Sequence, residues 1–448
     1  MLALAGAACL AFAVRADSEP AAASSSRPQT ALRTPVWSPR RVPALFQSAA
    51  ATVALQRALP ATFAPYAGCV DVDGPEGPVA RLDEEPLAGA STQKLLVAAA
   101  ALELMGPGHR FSTRAVSDAP LRDGTLAGDL TIVGGGDPML TTADTPRTPQ
   151  APVTNLAALA DAIAAAGVKR VDGALVADDS RYERDRAVAA WTAADNPEGN
   201  IGALGALIVD GGHGPDGLAS ADPALDTVQA LAPLLAARGV TVTGNATDPA
   251  RAAPADATEI ARVASAPLAD IVGEMLTDSN NQTAEMLTRE IGRRFAHAGT
   301  SAAGTRAVPA VLAPLGVDTD GVDLTDGSGL AHENRVTCRA LMDVLALAGR
   351  PKFAALDHGL AVAGQTGTLA LRFVGTPLAG RLRAKTGHID GVVGLAGVVA
   401  PGARFAFVAN GDFRTEDGAR MQDAVGNAVG TYLDSTGPPG LVPAPEGG

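Results

Sequence analysis

The sequence predicts a mixed α+β protein that contains an antiparallel meander and a β-rich insertion. Three β-like runs, residues 380–387, 392–399 and 404–410, follow one another late in the chain, separated by Asp-Gly and Pro-Gly turns. Helical patterns precede and follow these runs, and between residues 107 and 257 the sequence changes to short strands with Gly/Asp turns. This order indicates one folded unit interrupted by an insert.

The N-terminal region divides into three segments. Residues 1–14 are apolar, and we expect residues 1–16 to be a signal peptide or an N-terminal anchor. Residues 17–42, rich in Ser, Pro and Ala, are typical of a linker. The first folded segment is predicted to hold a helix over residues 44–58 and two strands over 68–72 and 79–82.

A helix is predicted from residue 91 to 106, and its nearly uniform apolar character indicates that it is buried. Further helical patterns lie at residues 155–166, 258–277, 282–296 and 416–433. We assign residues 43–106 and 258–435 to one discontinuous domain, with 107–257 inserted between its halves. Residues 436–448 are predicted to be a disordered tail.

Composition restricts the function. Apolar residues make up 47% of the chain and charged residues 19%, as in a globular protein. The net charge of -13 argues against nucleic acid or an anionic membrane surface as a partner, so membrane contact is expected only through the N-terminal anchor. No two histidines have metal-ligand spacing, and we expect neither a metal nor a cofactor. Cys69 and Cys338 are expected to be buried free thiols, with one disulfide as the alternative.

Lysine is scarce, with four residues against 31 arginines. Two of the four lie in the short motifs Ser91-Thr92-Gln93-Lys94 and Lys385-Thr386-Gly387. A guanidinium keeps its proton in any protein, whereas a buried ammonium can lose it and become a base. The retained lysines therefore suggest chemistry that arginine cannot perform.

Three short motifs are candidates for catalysis. Ser91 and Lys94 stand three residues apart on one helix face, so the lysine can take the proton of the hydroxyl; the alternative is a serine cap and a solvated lysine. Ser279-Asn280-Asn281 joins two helical patterns and by itself is most simply a cap. By itself Lys385 is most simply an edge-strand charge.

Together and in this order, S-x-x-K, S-x-N and K-T-G resemble the motifs of the penicillin-recognising serine enzymes. Over about residues 45–435 the chain resembles low-molecular-mass class C penicillin-binding proteins, the D-alanyl-D-alanine carboxypeptidase and endopeptidase family. Further segments that carry this resemblance are Gly134-Gly135-Gly136-Asp137-Pro138, Asp178-Asp179-Ser180, Asp326-Gly327-Ser328-Gly329-Leu330, Asn334-Arg335-Val336-Thr337, Gly367-Thr368-Leu369 and Gly375-Thr376-Pro377. The resemblance implies a transpeptidase domain like that of penicillin-binding proteins and β-lactamases, with a central antiparallel sheet flanked by helices.

The resemblance also implies the roles of the first two motifs. Ser91 attacks the carbonyl of a D-Ala-D-Ala stem peptide of peptidoglycan, or a β-lactam inhibitor, and forms an acyl-enzyme that water hydrolyses. Lys94 is the base. Ser279 relays a proton to the leaving D-alanine, and Asn281 holds the substrate amide.

Substrate binding is implied for the third motif. Lys385, Thr386 and Gly387 bind the terminal carboxylate, and the backbone amides of Ser91 and His388 form the oxyanion hole. Asp178 is expected either to contact the amino end of a diaminopimelate side chain, as in relatives, or to cap a turn.

The sequence departs from the family pattern at three places. His388 replaces a small hydroxyl residue, and its ring is expected to narrow the cleft or to titrate near neutral pH. Ala331-His332-Glu333 stands where the family usually has Ser-Arg before Asn334, which affects the finer substrate contacts. Trp191 is nearly the only aromatic residue of the insert, so stem-peptide side-chain specificity does not carry over.

We expect an exported serine DD-peptidase of the cell envelope. A β-lactamase or esterase on the same fold, and a catalytically silent wall-binding protein, are the alternatives. The intact motifs argue against the silent protein. Carboxypeptidase and endopeptidase action are not separated by the sequence, because both break a bond that follows a D-alanine. The Gly134–Gly136 run lacks nucleotide-binding spacing and is expected to be a close-packed turn.

Overall fold

The computed structural model describes residues 42–82, 85–142, 151–192, 201–214, 216–244 and 250–436. The predicted leader lies outside these residues, as do the linker and the tail except for residues 42 and 436. Within the described part of the chain, no helix combines the length and apolar character needed to cross a membrane.

The N-terminal segment folds as predicted. Its elements are α1 (Val42–Phe63), β1 (Ala67–Gly74), β2 (Gly77–Leu82), a 3-10 turn (Ala90–Gln93) and α2 (Lys94–Met105). The predicted helix over 91–106 therefore begins with a 3-10 turn, and the regular helix starts at Lys94. Every residue from Leu95 to Leu102 is fully buried, which places α2 at the centre of the molecule.

The described residues of the insert, with the segment that follows it up to residue 264, hold short strands and two α-helices. They are β3 (Ser112–Ser117), β4 (Leu121–Arg122), β5 (Thr125–Leu126), β6 (Leu130–Val133), β7 (Leu140–Thr141), β8 (Thr154–Asn155), α3 (Leu156–Ala165), β9 (Arg170–Val171), β10 (Leu175–Asp178), α4 (Pro223–Ala236), β11 (Thr241–Val242) and β12 (Thr258–Ala264). The strands form two four-stranded sheets, β10-β6-β3-β12 and β11-β9-β5-β4, and the pair β7-β8.

The helix predicted over residues 258–277 is wrong in its first half. Residues Thr258–Ala264 are strand β12, which pairs antiparallel with β3. The helix begins only at Leu268, because Pro267 is extended and occupies the N-cap position. Proline is tolerated at a helix start but not in a helix interior. The two halves of the segment therefore adopt different structures.

The C-terminal half contains the predicted meander. Its elements are α5 (Leu268–Thr277), α6 (Asn281–Ala296), α7 (Ser301–Leu312), α8 (Cys338–Leu347), α9 (Ala355–His358), β13 (Ala361–Val362), β14 (Leu382–Ile389), β15 (Val392–Val399), β16 (Ala403–Asn410) and α10 (Thr415–Ser435). Strands β14, β15 and β16 pair antiparallel in sequence order, so the meander is confirmed.

One antiparallel sheet organises the domain, in the order β13-β14-β15-β16-β1-β2. Helices α1 and α10 pack in one apolar core with residues of the sheet such as Phe405 and Phe407. A second core joins α2, α5, α6, α7 and α8 to sheet residues such as Ala406 and Val408, which alternate with the first set along β16. The mixed α+β fold, with a central antiparallel sheet flanked by helices, is thus confirmed.

Cys69 and Cys338 form a disulfide, so the expectation of two free thiols is wrong. Cys69 lies in β1 and Cys338 is the first residue of α8, and 269 positions separate them in sequence. Only the packing of α8 on the sheet brings the two sulfurs together, and spacing in the sequence gives no sign of it.

Candidate active site

The first motif lies where the 3-10 turn passes into α2. Ser91 is in the turn and Lys94 is the first residue of the helix, and 2.7 Å separates Ser91 Oγ from Lys94 Nζ. Ser91 is partly exposed, whereas Lys94 is fully buried. A hydroxyl that solvent can reach therefore contacts an amine that solvent cannot reach.

Lys94 Nζ has two more partners. It lies 2.7 Å from Asn281 Oδ1 and 2.5 Å from the carbonyl oxygen of Ser328. Burial lowers the pKa of Lys94 to about 7, although the nearby charges of Asp326 and Glu285 act in the opposite direction. A substantial fraction of Lys94 is then neutral at neutral pH and can accept the Ser91 proton.

In the second motif, neighbouring residues have different roles: one caps a helix and another contacts Lys94. The cap of α6 is Asn280, whose Oδ1 accepts from the Thr283 amide at 3.1 Å. Asn281 is thereby free of the capping role and reaches Lys94. Ser279 has a left-handed backbone, with φ of 61°, in the turn that joins α5 to α6. The capping interpretation holds for one residue of the motif and does not account for Asn281.

The third motif lies on β14 beside the first. Gly387 packs against the 3-10 turn so closely that a Cβ there would lie 2.7 Å from the carbonyl oxygen of Gly89. A larger residue would therefore push β14 away from Ser91. Thr386 Oγ1 donates to Thr368 Oγ1 at 2.9 Å, which connects the motif to the Gly367–Leu369 segment.

Lys385 is fully buried, and its Nζ donates to the carbonyl of Thr386 at 2.8 Å. Burial holds the pKa of Lys385 well below its usual value, and the charge of Lys94 lowers it further. Because like charges repel, protonation of either amine disfavours protonation of the other.

His388 follows the motif with its ring at the surface. Its Nε2 lies 3.2 Å from Thr415 Oγ1, at the start of α10. Partial burial lowers the pKa of His388 below its usual 6.5, with Asp390 opposing the shift. The ring is therefore mostly neutral at neutral pH.

A buried carboxylate pair supports the site, and sequence reasoning did not single it out. Glu285, one helical turn after Asn281, accepts through Oε1 from the amides of Gly327 and Ser328 at 2.9 and 2.7 Å. Burial and the charge of Asp326 raise the pKa of Glu285 to about 7. Because the same Ser328 offers its carbonyl to Lys94, Glu285 fixes the segment that holds the base.

Asp326 organises the loop that carries Ser328. Its Oδ1 accepts from the Gly329 amide at 2.8 Å and from Asn334 Nδ2 at 2.9 Å, and its Oδ2 accepts from Trp191 Nε1 at 2.8 Å. The aromatic residue that the sequence marked in the insert thus contacts the loop beside Lys94. Glu285 follows Asn281 by four residues and so lies on the same face of α6. This spacing is the feature of the sequence that could have drawn attention to Glu285.

Asp178 is placed elsewhere. It ends strand β10, and its two carboxylate oxygens accept from the amides of Ser180 at 2.9 Å and Ala253 at 2.8 Å. It lines a cleft with Arg293, near the end of α6 opposite Asn281. These two hydrogen bonds are those of a turn cap.

The described residues hold no group of three or more His, Cys, Asp and Glu side chains arranged to bind a metal ion. The chemistry available at Ser91 is that of an activated hydroxyl, a neutral amine and a second, buried amine. Such a set can transfer an acyl group from an amide to Ser91 and then to water.

Comparisons with known proteins show the family to which the sequence is similar. The D-Ala-D-Ala carboxypeptidase 3 (S13) family matches residues 70–215 and 213–430. A D-alanyl-D-alanine carboxypeptidase of Actinomadura sp. (strain R39) is 33% identical over 466 residues, covering 85% of this chain and 84% of the relative. A carboxypeptidase of Mycobacterium tuberculosis is 33% identical, covering 74% of this chain and 72% of the relative.

The fold has solved counterparts. The crystal structure of penicillin binding protein 4 from Haemophilus influenzae superposes with a TM-score of 0.70 at 21% identity, covering 84% of this chain and 99% of that one. At this identity the likeness supports the fold alone. The family match, the relatives and the fold agree, and the chain belongs to the D-Ala-D-Ala carboxypeptidase 3 (S13) family, the low-molecular-mass class C penicillin-binding proteins that its motifs indicated.

Proposed function

We propose that this chain hydrolyses the D-Ala-D-Ala end of peptidoglycan stem peptides, with Ser91 as the nucleophile and Lys94 as the base. One observation carries the assignment: a fully buried amine lies 2.7 Å from a partly exposed hydroxyl. Proton transfer needs this short distance, and burial provides the lowered pKa that a lysine base requires.

Acylation follows from the positions of the first two motifs. Lys94 Nζ takes the Ser91 proton while Oγ bonds to the carbonyl carbon of the penultimate D-alanine. The amides of Ser91 and His388 stabilise the resulting oxyanion, a contribution of about 3 kcal/mol per donor. The C–N bond then breaks, the leaving nitrogen receives a proton through Ser279, and water later releases the acyl group from Ser91.

Lys385 and Thr386 bind the terminal carboxylate of the substrate. A carboxylate beside Lys385 favours the protonated form of that amine, because opposite charges attract. The positive charge on Lys385 then disfavours protonation of Lys94, with which it is coupled. Substrate binding therefore leaves Lys94 neutral and ready to act as a base.

Two further assignments complete the proposal. The inserted region extends to Ala264, because β12 completes an insert sheet, and the peptidase domain resumes at α5. The protein works outside the cytoplasm, since a disulfide between Cys69 and Cys338 persists in an oxidising compartment and the sequence begins with a predicted leader. β-Lactams inhibit it by acylating Ser91.

Intact mass spectrometry after incubation with benzylpenicillin, followed by peptide mapping, tests the proposal. We expect one adduct on Ser91, none in the Ser91→Ala variant, and release of D-alanine from a D-Ala-D-Ala-terminated peptide by the wild type. Unchanged penicillin with no adduct would indicate a silent binding protein. Hydrolysed penicillin with no adduct would indicate a β-lactamase.

A further inference from the structure

A cleft of about 450 Å³ opens at the C-terminal end of α6, away from Ser91. The segment after α2, strands β6 and β10 of the insert, and α6 all contribute to its wall. Four arginines line it: Arg110, Arg114, Arg181 and Arg293. We call this cluster the arginine cleft. Asp178 is the one carboxylate among its lining residues.

The arginines are held in place without being neutralised. Arg181 makes a two-point contact with the buried Glu290, which also binds Arg294 at 2.6 Å. Arg114 lies 3.9 Å from Glu259, and that carboxylate contacts Arg262 more closely, at 2.5 Å. Each of these two carboxylates therefore serves two guanidiniums.

The local charge is opposite in sign to that of the chain. Among the described residues, the four lining arginines and the two that share their carboxylates, Arg262 and Arg294, outnumber Asp178, Glu259 and Glu290 by three charges, on a chain of net charge -13. Burial lowers the pKa of His109 in the cleft wall, and the charges of Arg294 and Arg181 lower it further, with Glu290 opposing. An anion in this cleft meets a positive field that most of this acidic surface does not offer.

The side chains available for contact are exposed guanidiniums. Arg110, Arg114 and Arg293 are exposed, and Arg110 is oriented by its hydrogen bond to the carbonyl of Ser265 at 2.6 Å. A guanidinium presents a planar fork of donors that matches the paired oxygens of phosphate. Several such forks around one opening fit an anion of more than one charge better than a single carboxylate.

The glycine run in the wall has a packing role. A Cβ at Gly135 would lie 2.2 Å from the carbonyl oxygen of Ser112, and one at Gly134 would lie 2.4 Å from that of Ala206. The close-packed interpretation of Gly134–Gly136 is therefore confirmed. The run holds β3 and β6 close together and brings Arg110 and Arg114 to the same opening as Arg181.

We propose that the arginine cleft binds phosphate esters, and that it holds the protein on a polymer of phosphodiesters in the cell wall while the distant serine acts on peptides. This site is independent of the proposed hydrolysis, since none of its residues contacts Ser91 or Lys94 in the described structure. Anionic lipid headgroups share this chemistry, but a lipid surface would also repel the acidic remainder of a chain of net charge -13, so we expect the polymer as the occupant.

The test compares two double variants of the full chain that remove the same charge. Arg114→Gln with Arg293→Gln alters the cleft, and Arg57→Gln with Arg122→Gln alters two exposed arginines outside its lining. The probes are inorganic pyrophosphate by calorimetry at low salt, poly(glycerol phosphate), and phosphatidylglycerol vesicles with phosphatidylcholine vesicles as the blank.

We expect the wild type to bind pyrophosphate and poly(glycerol phosphate) but not the phosphatidylglycerol vesicles. Binding of the vesicles in preference to the polymer would overturn the choice of occupant. The cleft variant should bind at least about tenfold more weakly, because each lost guanidinium removes charged hydrogen bonds. The matched variant should remain within about twofold of the wild type. Both variants should release D-alanine from a small soluble peptide at the wild-type rate, which also shows that they fold. Absence of binding by the wild type, or equal losses in the two variants, would overturn the proposal.

Discussion

The two ends of helix α6 use positive charge in opposite ways. At the N-terminal end, Asn281 contacts the buried Lys94. At the C-terminal end, Arg293 lies in the exposed arginine cleft. The two ends are about 18 Å apart at 1.5 Å of rise per residue. Beside the N-terminal end lie lysine amines that can lose a proton, and at the C-terminal end lie guanidiniums that cannot.

Two glutamates on the same helix show the physical basis of this difference. Glu285 accepts from two backbone amides, and burial together with Asp326 raises its pKa to about 7. Burial also acts to raise the pKa of Glu290, but hydrogen bonds from Arg181 and Arg294 outweigh it and the pKa is lowered. Glu285 can therefore gain or lose a proton near neutral pH, whereas Glu290 stays ionised beside its two arginines.

The largest effect is expected when Lys94, at the active-site end of α6, is replaced by arginine. Lys94→Arg keeps the positive charge but cannot accept a proton, so we expect acylation by benzylpenicillin to slow by about 10³-fold. Lys169→Arg, at an exposed lysine of the insert, is the matched control and should acylate normally. Stopped-flow acylation rates measure both. A Lys94→Arg enzyme that acylates normally would show that another group is the base.

Removal of the second lysine should weaken binding more selectively. Lys385→Ala deletes the partner of the substrate carboxylate, and we expect about 10- to 100-fold slower acylation by benzylpenicillin. The methyl ester of benzylpenicillin lacks that carboxylate and should be affected much less. An equal loss with acid and ester would assign Lys385 a structural role instead.

The pH dependence of acylation tests whether Lys94 loses its proton near neutral pH. Lys94 must be neutral to act, so acylation should rise with pH through about 7 and fall about tenfold per unit below it. The charge of Glu285 raises the pKa of Lys94, so Glu285→Gln, which keeps the oxygen acceptor, should move the acidic limb to lower pH. A Glu285→Gln profile that drops in height without moving would mean that Glu285 acts only on structure.

The smallest effect is expected from the reverse exchange at the other end. Arg293→Lys keeps an exposed positive charge but loses the planar fork, so pyrophosphate binding in the arginine cleft should weaken by about threefold, less than in Arg293→Gln. Calorimetry beside the Arg293→Gln variant measures the difference. A loss as large as that of Arg293→Gln would show that the guanidinium fork, and not its charge, is required.

The sequence identified the candidate catalytic residues but not the residues that support them. Ser91, Lys94, Asn281 and Lys385 stand in short motifs with local spacing that a helix or strand converts into geometry. Glu285 has no such motif, and its importance arises because residues 327 and 328 fold back onto α6 from 42 and 43 positions away. Long-range contacts of this kind leave no periodic pattern in one sequence.

Local signals also decided which secondary structures could be predicted. The meander was visible because its turns and apolar runs repeat at short range, and α2 because it is apolar throughout. The helix predicted over 258–277 was half wrong because β12 takes its structure from pairing with β3, some 150 residues earlier in the chain. Local propensity does not identify a strand that is stabilised by a partner distant in the sequence.

The sequence by itself determined the α+β class and the three motifs, because composition and local spacing encode them. Only the tertiary structure decided the Cys69–Cys338 disulfide, the burial that lowers the pKa of Lys94, and the meeting of four arginines in one cleft. Each of these depends on which distant segments exclude water from one another. Desolvation and the distances between charges are properties of the folded chain, and they cannot be obtained from the order of residues alone.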